Sequence, residues 1–454
     1  MARRAREDRP RGPGRSHERG HRVRQRAARR AAPRLRARRR ATTLLPWVTS
    51  VPEPNLQSPL ITSFTVTSAL GRGLAATARR LAAAETGLAP CRFETVDLDT
   101  CVGEVPGIDA HALPQPLRRF DCRNNRLADL ALATDGFVDA VATASARWGA
   151  GRVGVYLGTS TAGILSTEIA YRHRDAITGA LPPDYRYRET HNTNSVTEFV
   201  RDRLGLSGPA LTHSTACSSS AKAFASAWRA IASGLADAAV VGGVDTLCLT
   251  TLHGFDSLGL LSSRPCRPWD AHRDGISIGE GAAFFLVERA QPGRDPAPRL
   301  LGFGESCDAY HMSSPHPEGE GARAAMLAAL ALAGLAPDDI DYVNLHGTAT
   351  PANDAAEDKA VTAVFGDRVP CSSTKGATGH ALGAAGAVEA AIALIALADG
   401  FVPAGPGLEA PDPKLGARYA SRNEWRTIRR AMSNSFGFGG SNCSLVFGAA
   451  ELPR

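Results

Sequence analysis

STACSSSAKAFASAWRAIASG, residues 214–234, runs from a turn of small residues through a cysteine at position 217 into an alanine-rich amphipathic helix. A thiol at the start of a helix faces unpaired backbone N–H groups and the positive end of the helix dipole. Both favour thiolate over thiol and predict a pKa below the reference of about 8.5. The flanking serines keep bulk away from the sulfur and can cap the helix. A buried structural cysteine is the competing reading of this stretch alone. A valine-rich run with two glycines, DAAVVGGVDT (237–246), follows directly. Similar runs recur at RVGVYLGTS (152–160), AAFFLVERA (282–290), IDYVNLHGT (340–348) and SNCSLVFGA (441–449), separated by alanine-rich stretches of helical length. Strands alternating with helices predict an α/β fold with buried sheets. Several strands end in glycine plus a polar residue, where α/β folds place chemistry.

The chain of 454 residues is 43% hydrophobic and 21% charged, so most of it is expected to be globular. Its net charge of +7 is unevenly spread. Residues 1–40 hold 17 arginines against Glu7, Asp8 and Glu18, a surplus of 14 that leaves the remainder at −7. Residues 1–57 form an Arg/Ala/Pro/Gly segment with too little apolar surface to offset its ordering entropy, which predicts a disordered extension or sequence upstream of a later start. Such a segment could also bind nucleic acid or acidic lipid, or direct import. The acidic body and the absence of interleaved aromatics argue against nucleic acid. The nine cysteines show no CxxC spacing and no matching histidine cluster, which points to free thiols in a reducing, cytoplasmic setting and to no metal. The apolar run Ala381 to Ala398 is long enough to span a membrane. Its Ala/Gly richness and central Glu389 predict a buried core helix instead, with no stable membrane insertion.

Three further stretches are composed for a site. In NLHGTATPANDAAE (344–357), His346 closes an apolar strand and opens into a Gly/Thr turn with hydroxyls at Thr348 and Thr350. In SSTKGATGHALGAAGAVEAAIAL (372–394), Lys375 and His380 precede a Gly/Ala helix, and Gly376, Gly379, Gly383 and Gly386 permit close backbone approach. The phosphate-loop pattern GxxxxGK[ST] is absent. In NSFGFGGSN (434–442), glycines set around two aromatics suggest a turn that walls a pocket.

In order and spacing these strings resemble the β-ketoacyl-[acyl-carrier-protein] synthases I and II of the thiolase superfamily. The resemblance runs from about Leu60 to Gly448 and also rests on GTSTAG (158–163), RPWDAHRDGISIGEGAA (267–283) and DAYHMSSPHPEGEG (308–321). It implies a thiolase-like, five-layered αβαβα fold of two similar halves, 58–298 with the nucleophile and 299–454 with the histidine pair. It implies the acyl-accepting nucleophile at Cys217, catalytic histidines at His346 and His380, an active-site lysine at Lys375 and its buried acid partner at Glu389. Thr348 and Thr350 match residues that hydrogen-bond a pantetheine arm. Phe438 matches a gating phenylalanine whose N–H joins that of Cys217 in an oxyanion hole, and Phe436 lines the same substrate pocket. The implied reaction is decarboxylative condensation of a cysteine-bound acyl group with malonyl-ACP, an acyltransferase activity in fatty-acid, polyene or polyketide-type synthesis. The implied partners are an acyl carrier protein and a second synthase-like subunit, in a homodimer or heterodimer. No cofactor is implied beyond the carrier's phosphopantetheine. DAYHMSSPHPEGEG and the compact body further resemble the stand-alone synthases of aryl-polyene and pigment clusters.

The chemistry suits these residue types. Cysteine is both nucleophile and leaving group. Loss of CO2 from a malonyl thioester places negative charge on the thioester oxygen, which two neutral imidazoles can meet. Lys375 favours neutral imidazoles by like-charge proximity, and Glu389 balances Lys375. A thiolase would need a second catalytic cysteine, and Cys443 lies past the glycine turn on a strand. A ketoacyl synthase III would carry asparagine where His380 stands, and an inactive chain-length partner would lack Cys217. The opening LITSFTVTSALGRG (60–73) lacks the family's glycine-bearing start and is expected to form an edge strand.

Because the motifs all lie beyond Leu60, deleting residues 1–55 is expected to leave the melting temperature and condensation activity unchanged. A Michaelis constant for carrier protein that rises on deletion, and rises less at high salt, would instead assign the arginines an electrostatic recruiting role.

Overall fold

The computed structural model describes residues 57–291 and 296–450, so the Arg-rich segment lies outside the described residues except for Gln57. Ten strands carry the architecture: β1 (Leu60–Ser68), β2 (Val153–Gly158), β3 (Ala210–His213), β4 (Ala238–Asp245), β5 (Gly281–Glu288), β6 (Arg299–Cys307), β7 (Tyr342–Asn344), β8 (Cys371–Ser372), β9 (Arg430–Gly437) and β10 (Ser441–Gly448). They run β8-β7-β9-β10-β6-β1-β5-β4-β2-β3, and a short strand Gly71–Arg72 pairs with β1 to make eleven. The first five strands stand in the order β1-β5-β4-β2-β3, and the last five repeat it as β6-β10-β9-β7-β8. Pairing directions repeat as well: antiparallel, antiparallel, parallel, parallel in each half. The chain is thus built from two copies of one topology, joined where Leu60 pairs Arg299. The expected boundary at 298/299 falls at the crossing from β5 to β6.

Strand β1 therefore sits at the junction and not at an edge. Paired on both sides, it keeps even its polar residues Thr65, Thr67 and Ser68 buried. Thr65 is satisfied by Thr134 at 2.6 Å and Asp135 at 2.7 Å.

The layers follow from which face of each strand is apolar. In β4 and β5, Ala239, Val241, Ala283, Phe285 and Val287 point to one core, while Ala238, Val240, Ala282, Phe284 and Leu286 point to another. This period of two with both faces apolar is what a doubly covered sheet requires. The outer N-terminal face is covered by α1 (Arg123–Leu132), α2 (Phe137–Trp148) and α3 (Ser195–Arg203). The outer C-terminal face is covered by α5 (Glu320–Ala333) and α6 (Pro351–Phe365). Between the half-sheets lie α4 (Ser219–Ala232) and α8 (Ala385–Asp399), which share one core with β1, β4, β5, β9 and β10. The result is the five-layered αβαβα arrangement of the thiolase-like fold.

Helix α8 is apolar all round because it is buried all round, the condition for a central helix. Its window Leu382–Asp399 is long and apolar enough to cross a membrane, but 89% of it is buried inside the protein. In its first turn, Gly386 touches α4 so closely that a Cβ would lie 2.9 Å from the Ala221 nitrogen. The halves share this central layer, and residues 53–454 form one compact unit, so they are repeats and not separable domains.

Phe224 of α4 packs edge-on against Phe285 of β5 at 4.9 Å and against Phe447 of β10 at 5.9 Å, so one ring joins both half-sheets. Phe224→Ala is expected to destabilise the protein by about 3–5 kcal/mol, read as a lower denaturant midpoint with unchanged steepness. An unchanged midpoint would mean that the middle layer repacks without this ring.

Candidate active site

Cys217 stands in the connection from β3 to α4, with Ser218 as N-cap and Ser219 as the first helical residue. Ala216 precedes it at φ +51°, a left-handed conformation unusual for a residue with a Cβ, and this bend turns the sulfur into the pocket. The serines were expected to cap the helix, but they hold this bend instead. Ser218 Oγ donates to Thr215 O at 2.9 Å, Ser219 Oγ donates to Ala216 O at 2.5 Å, and Thr215 N–H donates to Ser219 Oγ at 2.9 Å.

The structure brings the predicted groups together from different elements. His346 lies two residues beyond β7, and His380 lies in the loop between α7 (Lys375–Thr378) and α8. His380 Nε2 is 3.0 Å from Cys217 Sγ. The two imidazoles meet edge to face at 5.3 Å, and Phe436 packs on His346 at 5.9 Å. Lys375 Nζ donates to the His346 carbonyl and to Glu389, and lies 3.5 Å from His346 Nδ1. An ammonium facing Nδ1 makes that nitrogen the acceptor, which leaves the proton of neutral His346 on Nε2. Thr348 and Thr350 hydroxyls are 3.1 Å apart, and Thr350 also caps α6 by accepting from Asn353 N–H. The Phe438 N–H points at the Cys217 sulfur. Gly437 packs so closely on the 215–217 backbone that a Cβ there would meet Thr215 O at 2.8 Å. Phe438 itself is half-buried and packs on Phe255 at 5.7 Å. These groups line a cavity of about 250 Å³ that also includes Leu260, Ile276 and Asn353.

The electrostatics depart from expectation at the sulfur. Cys217 precedes the helix by two residues and is buried, and burial pushes its thiol up to about 12. The Lys375 charge and the Phe438 N–H pull it down without overcoming desolvation. The resting sulfur is therefore a thiol, and the helix terminus is the weaker influence. Both imidazoles are held well below the ordinary histidine value, first by burial and then by Lys375, so both are neutral near pH 7.

Sequence reasoning missed the carboxylates that fix the loops. Asp245, at the end of β4, accepts from Thr159 Oγ1 (2.6 Å), Ser160 N–H (2.9 Å), Thr161 N–H (2.9 Å) and Gly383 N–H (2.6 Å). It thereby ties the 159–161 loop to the turn that follows His380. Glu357 accepts from His346 N–H at 2.8 Å and Gly347 N–H at 2.7 Å. Asp354 accepts from Trp269 N–H at 3.1 Å and Ala349 N–H at 3.2 Å. Asp354 and Glu357 stood inside the quoted 344–357 string, and an acid inside an apolar-faced helix was the signal that could have found Glu357.

Two family profiles match the chain: the β-ketoacyl synthase N-terminal domain over residues 124–292 and its C-terminal domain over residues 298–409. A 3-oxoacyl-[acyl-carrier-protein] synthase 2 of Coxiella burnetii is 35% identical over 418 residues, covering 85% of this chain and 97% of that one. The synthase 2 of Vibrio cholerae is 33% identical, covering 86% and 98%. Among solved structures, the ketosynthase ApeO in complex with its chain length factor ApeC, from Xenorhabdus doucetiae, matches with a TM-score of 0.78 and 39% identity, covering 87% of this chain and 99% of that one. The ishigamide ketosynthase/chain length factor matches at 0.77 and 27%, with coverages of 87% and 99%.

A thiol with a pKa near 12 has a thiolate fraction that grows about tenfold per pH unit through the neutral range. Alkylation of Cys217 by iodoacetamide, followed on its peptide by mass, is expected to accelerate steadily from pH 7 to pH 10. A plateau at or below pH 7 would mean that the helix terminus and Lys375 outweigh burial.

Proposed function

The chain belongs to the β-ketoacyl synthase family, and from that premise we propose how its own residues carry out the condensation. It is a β-ketoacyl-ACP synthase that joins a cysteine-bound acyl group to malonyl-ACP, releasing CO2 and leaving β-ketoacyl-ACP. The observation that supports the mechanism most directly is the 3.0 Å contact of His380 Nε2 with Cys217 Sγ inside a cavity shared with His346.

In the first half-reaction the Cys217 sulfur attacks the acyl thioester while His380 Nε2 takes its proton. The carbonyl oxygen turns negative near the N–H groups of Cys217 and Phe438. Collapse expels the pantetheine sulfur, which recovers the proton from His380. Proton transfer during attack avoids forming a bare thiolate in a buried pocket. In the second half-reaction the malonyl thioester oxygen lies between the imidazoles. His346 donates from Nε2, because Lys375 faces its Nδ1, and His380 donates in its Nε2–H form. The carboxylate leaves as CO2, and the enolate carbon attacks the acyl-cysteine carbonyl. The sulfur leaves as a thiolate that takes the proton of His380 Nε2–H, which His380 regains from solvent as the one proton the reaction consumes. Thr348 and Thr350 hold the pantetheine arm at the mouth. No metal or organic cofactor enters any step.

The partners are an acyl carrier protein and a synthase-like subunit. Likeness to a ketosynthase solved with its chain length factor, at 39% identity over 87% of this chain and 99% of that one, supports a heterodimer of that kind. It also favours polyene or polyketide-type synthesis, of the aryl-polyene sort, over housekeeping elongation. Nine unbridged cysteines fit a cytoplasmic setting.

Intact-protein mass after incubation with acyl-ACP is expected to show one acyl adduct, absent from Cys217→Ala. His346→Ala is expected to accept the acyl group but to release CO2 from malonyl-ACP about 10²–10³-fold more slowly, the loss typical of one oxyanion donor. An adduct on another cysteine, or full decarboxylation by the variant, would overturn these assignments.

A further inference from the structure

The donor atoms of Cys217, His346 and His380 all lie within 4.8 Å of one another, and all three residues are buried. Sulfur and imidazole nitrogen are the ligands that zinc selects, with bonds of about 2.3 Å and about 2.0–2.1 Å. Tetrahedral angles then set neighbouring donors roughly 3.3–3.7 Å apart. The Sγ–Nε2 separation of 3.0 Å is already near that range, and the other separations, none above 4.8 Å, reach it by movements of about 1 Å. The cavity of about 250 Å³ opens on the same atoms and leaves room for a fourth ligand. Three protein donors with one open position is the pattern of an accessible zinc site and not of a closed structural one.

Lys375 is the opposing charge, and its arrangement limits the opposition. Its firm contacts go to the Glu389 carboxylate and the His346 carbonyl, while the approach to His346 Nδ1 is the longest of the three at 3.5 Å. Turning the His346 proton to Nδ1, so that Nε2 can ligate, sets two donors 3.5 Å apart, a repulsion limited by the hold of Glu389 and the His346 carbonyl on the ammonium. His380 Nδ1 has no hydrogen-bond partner among the described residues, so its ring is held only through Nε2, by the Cys217 sulfur that would share the ion.

We propose that Cys217, His346 and His380 form a binding site for a thiophilic divalent cation of the zinc class, and that occupancy shuts the enzyme down. Binding forms one metal–sulfur and two metal–nitrogen bonds, displaces waters from the ion and releases the thiol proton to solvent. Magnesium and calcium, which require oxygen ligands, are excluded by the donor set. The binding stands on the geometry alone; only the inhibition rests on Cys217 being the acyl acceptor.

The test uses the full chain with zinc chloride, and magnesium chloride as control, and reads iodoacetamide alkylation on the Cys217 peptide. Saturating zinc is expected to slow alkylation by about tenfold or more, with magnesium without effect. In His346→Ala and His380→Ala, the zinc needed for equal protection is expected to rise at least about tenfold. Wild-type protein loaded with cobalt(II) is expected to show intense tetrahedral visible bands and a thiolate charge-transfer band, the latter missing from Cys217→Ser. The cobalt spectrum decides the matter even if a histidine variant fails to fold. Unchanged alkylation, equal protection in both histidine variants, or a weak octahedral cobalt spectrum would each overturn the site. Zinc protection combined with no acyl adduct on Cys217 would leave the metal site standing and remove the catalytic reading.

Discussion

The buried ion pair of Lys375 and Glu389 is the constraint around which the site is arranged. Both side chains are almost wholly out of water, at 1% and 2% exposure. Taking two charges into an apolar interior costs several kcal/mol per ion, which their attraction need not recover. Burial indeed raises the Glu389 carboxyl to about 7 even with Lys375 against it. The pair is therefore poor evidence for stability. It makes sense as a fixed positive charge delivered beside His346. That one cation lowers the Cys217 thiol and lowers both imidazoles. The Cys217 thiol is raised less than burial alone would raise it while the histidines stay neutral, and a site without the cation would have to obtain these separately.

Holding the side chains of the site on loops creates a second requirement. Loops lack the hydrogen-bond ladders of strands and helices, and here they include non-glycine residues at positive φ: Ala162, Ala216, Trp269, Ala349 and Leu382. Conformations of this kind cost of order 1–3 kcal/mol each and persist only when the surroundings dictate them. The buried carboxylates of Asp245, Asp354 and Glu357 supply that dictation by gathering backbone N–H groups from loops distant in sequence. Glu280 acts likewise at the rim, binding Arg123 and accepting from Val105 and Leu247 N–H groups. An unpaired buried N–H costs about 1–3 kcal/mol and a buried carboxylate without donors costs more, so each satisfies the other.

Much of this was legible in the sequence, for reasons specific to each part. The five side chains that meet in the candidate site are chemically distinctive types in short strings, and the strands with two apolar faces announced a covered sheet. The position of β1 was not legible, because LITSFTVTS alternates like a half-exposed strand and only tertiary partners reveal that its threonines are buried and bonded. The loop-fixing role of Asp245 was hidden for a related cause: its donors come from residues 159–161 and 383, and nothing local marks their convergence. The thiol's pKa was misjudged because a helix-terminus argument is local, whereas desolvation depends on the whole enclosure.

The repeat explains how an asymmetric site arises from a nearly symmetric frame. Helices α4 and α8 occupy equivalent places, each following the third strand of its half and each running into the middle layer. The loop leading into α4 supplies Cys217, and the segment leading into α8 supplies His380 and Lys375. The loop after β7 supplies His346, while its counterpart after β2 is tied to Asp245 and lends no titratable group. Because the N-terminal turns of α4 and α8 meet through the Gly386–Ala221 contact, the spacing between Cys217 and His380 depends on how closely two helix backbones can approach. The glycine at that crossing is thus a determinant of the site's geometry, since a Cβ there would push apart the two elements whose ends hold a sulfur and an imidazole 3.0 Å from each other.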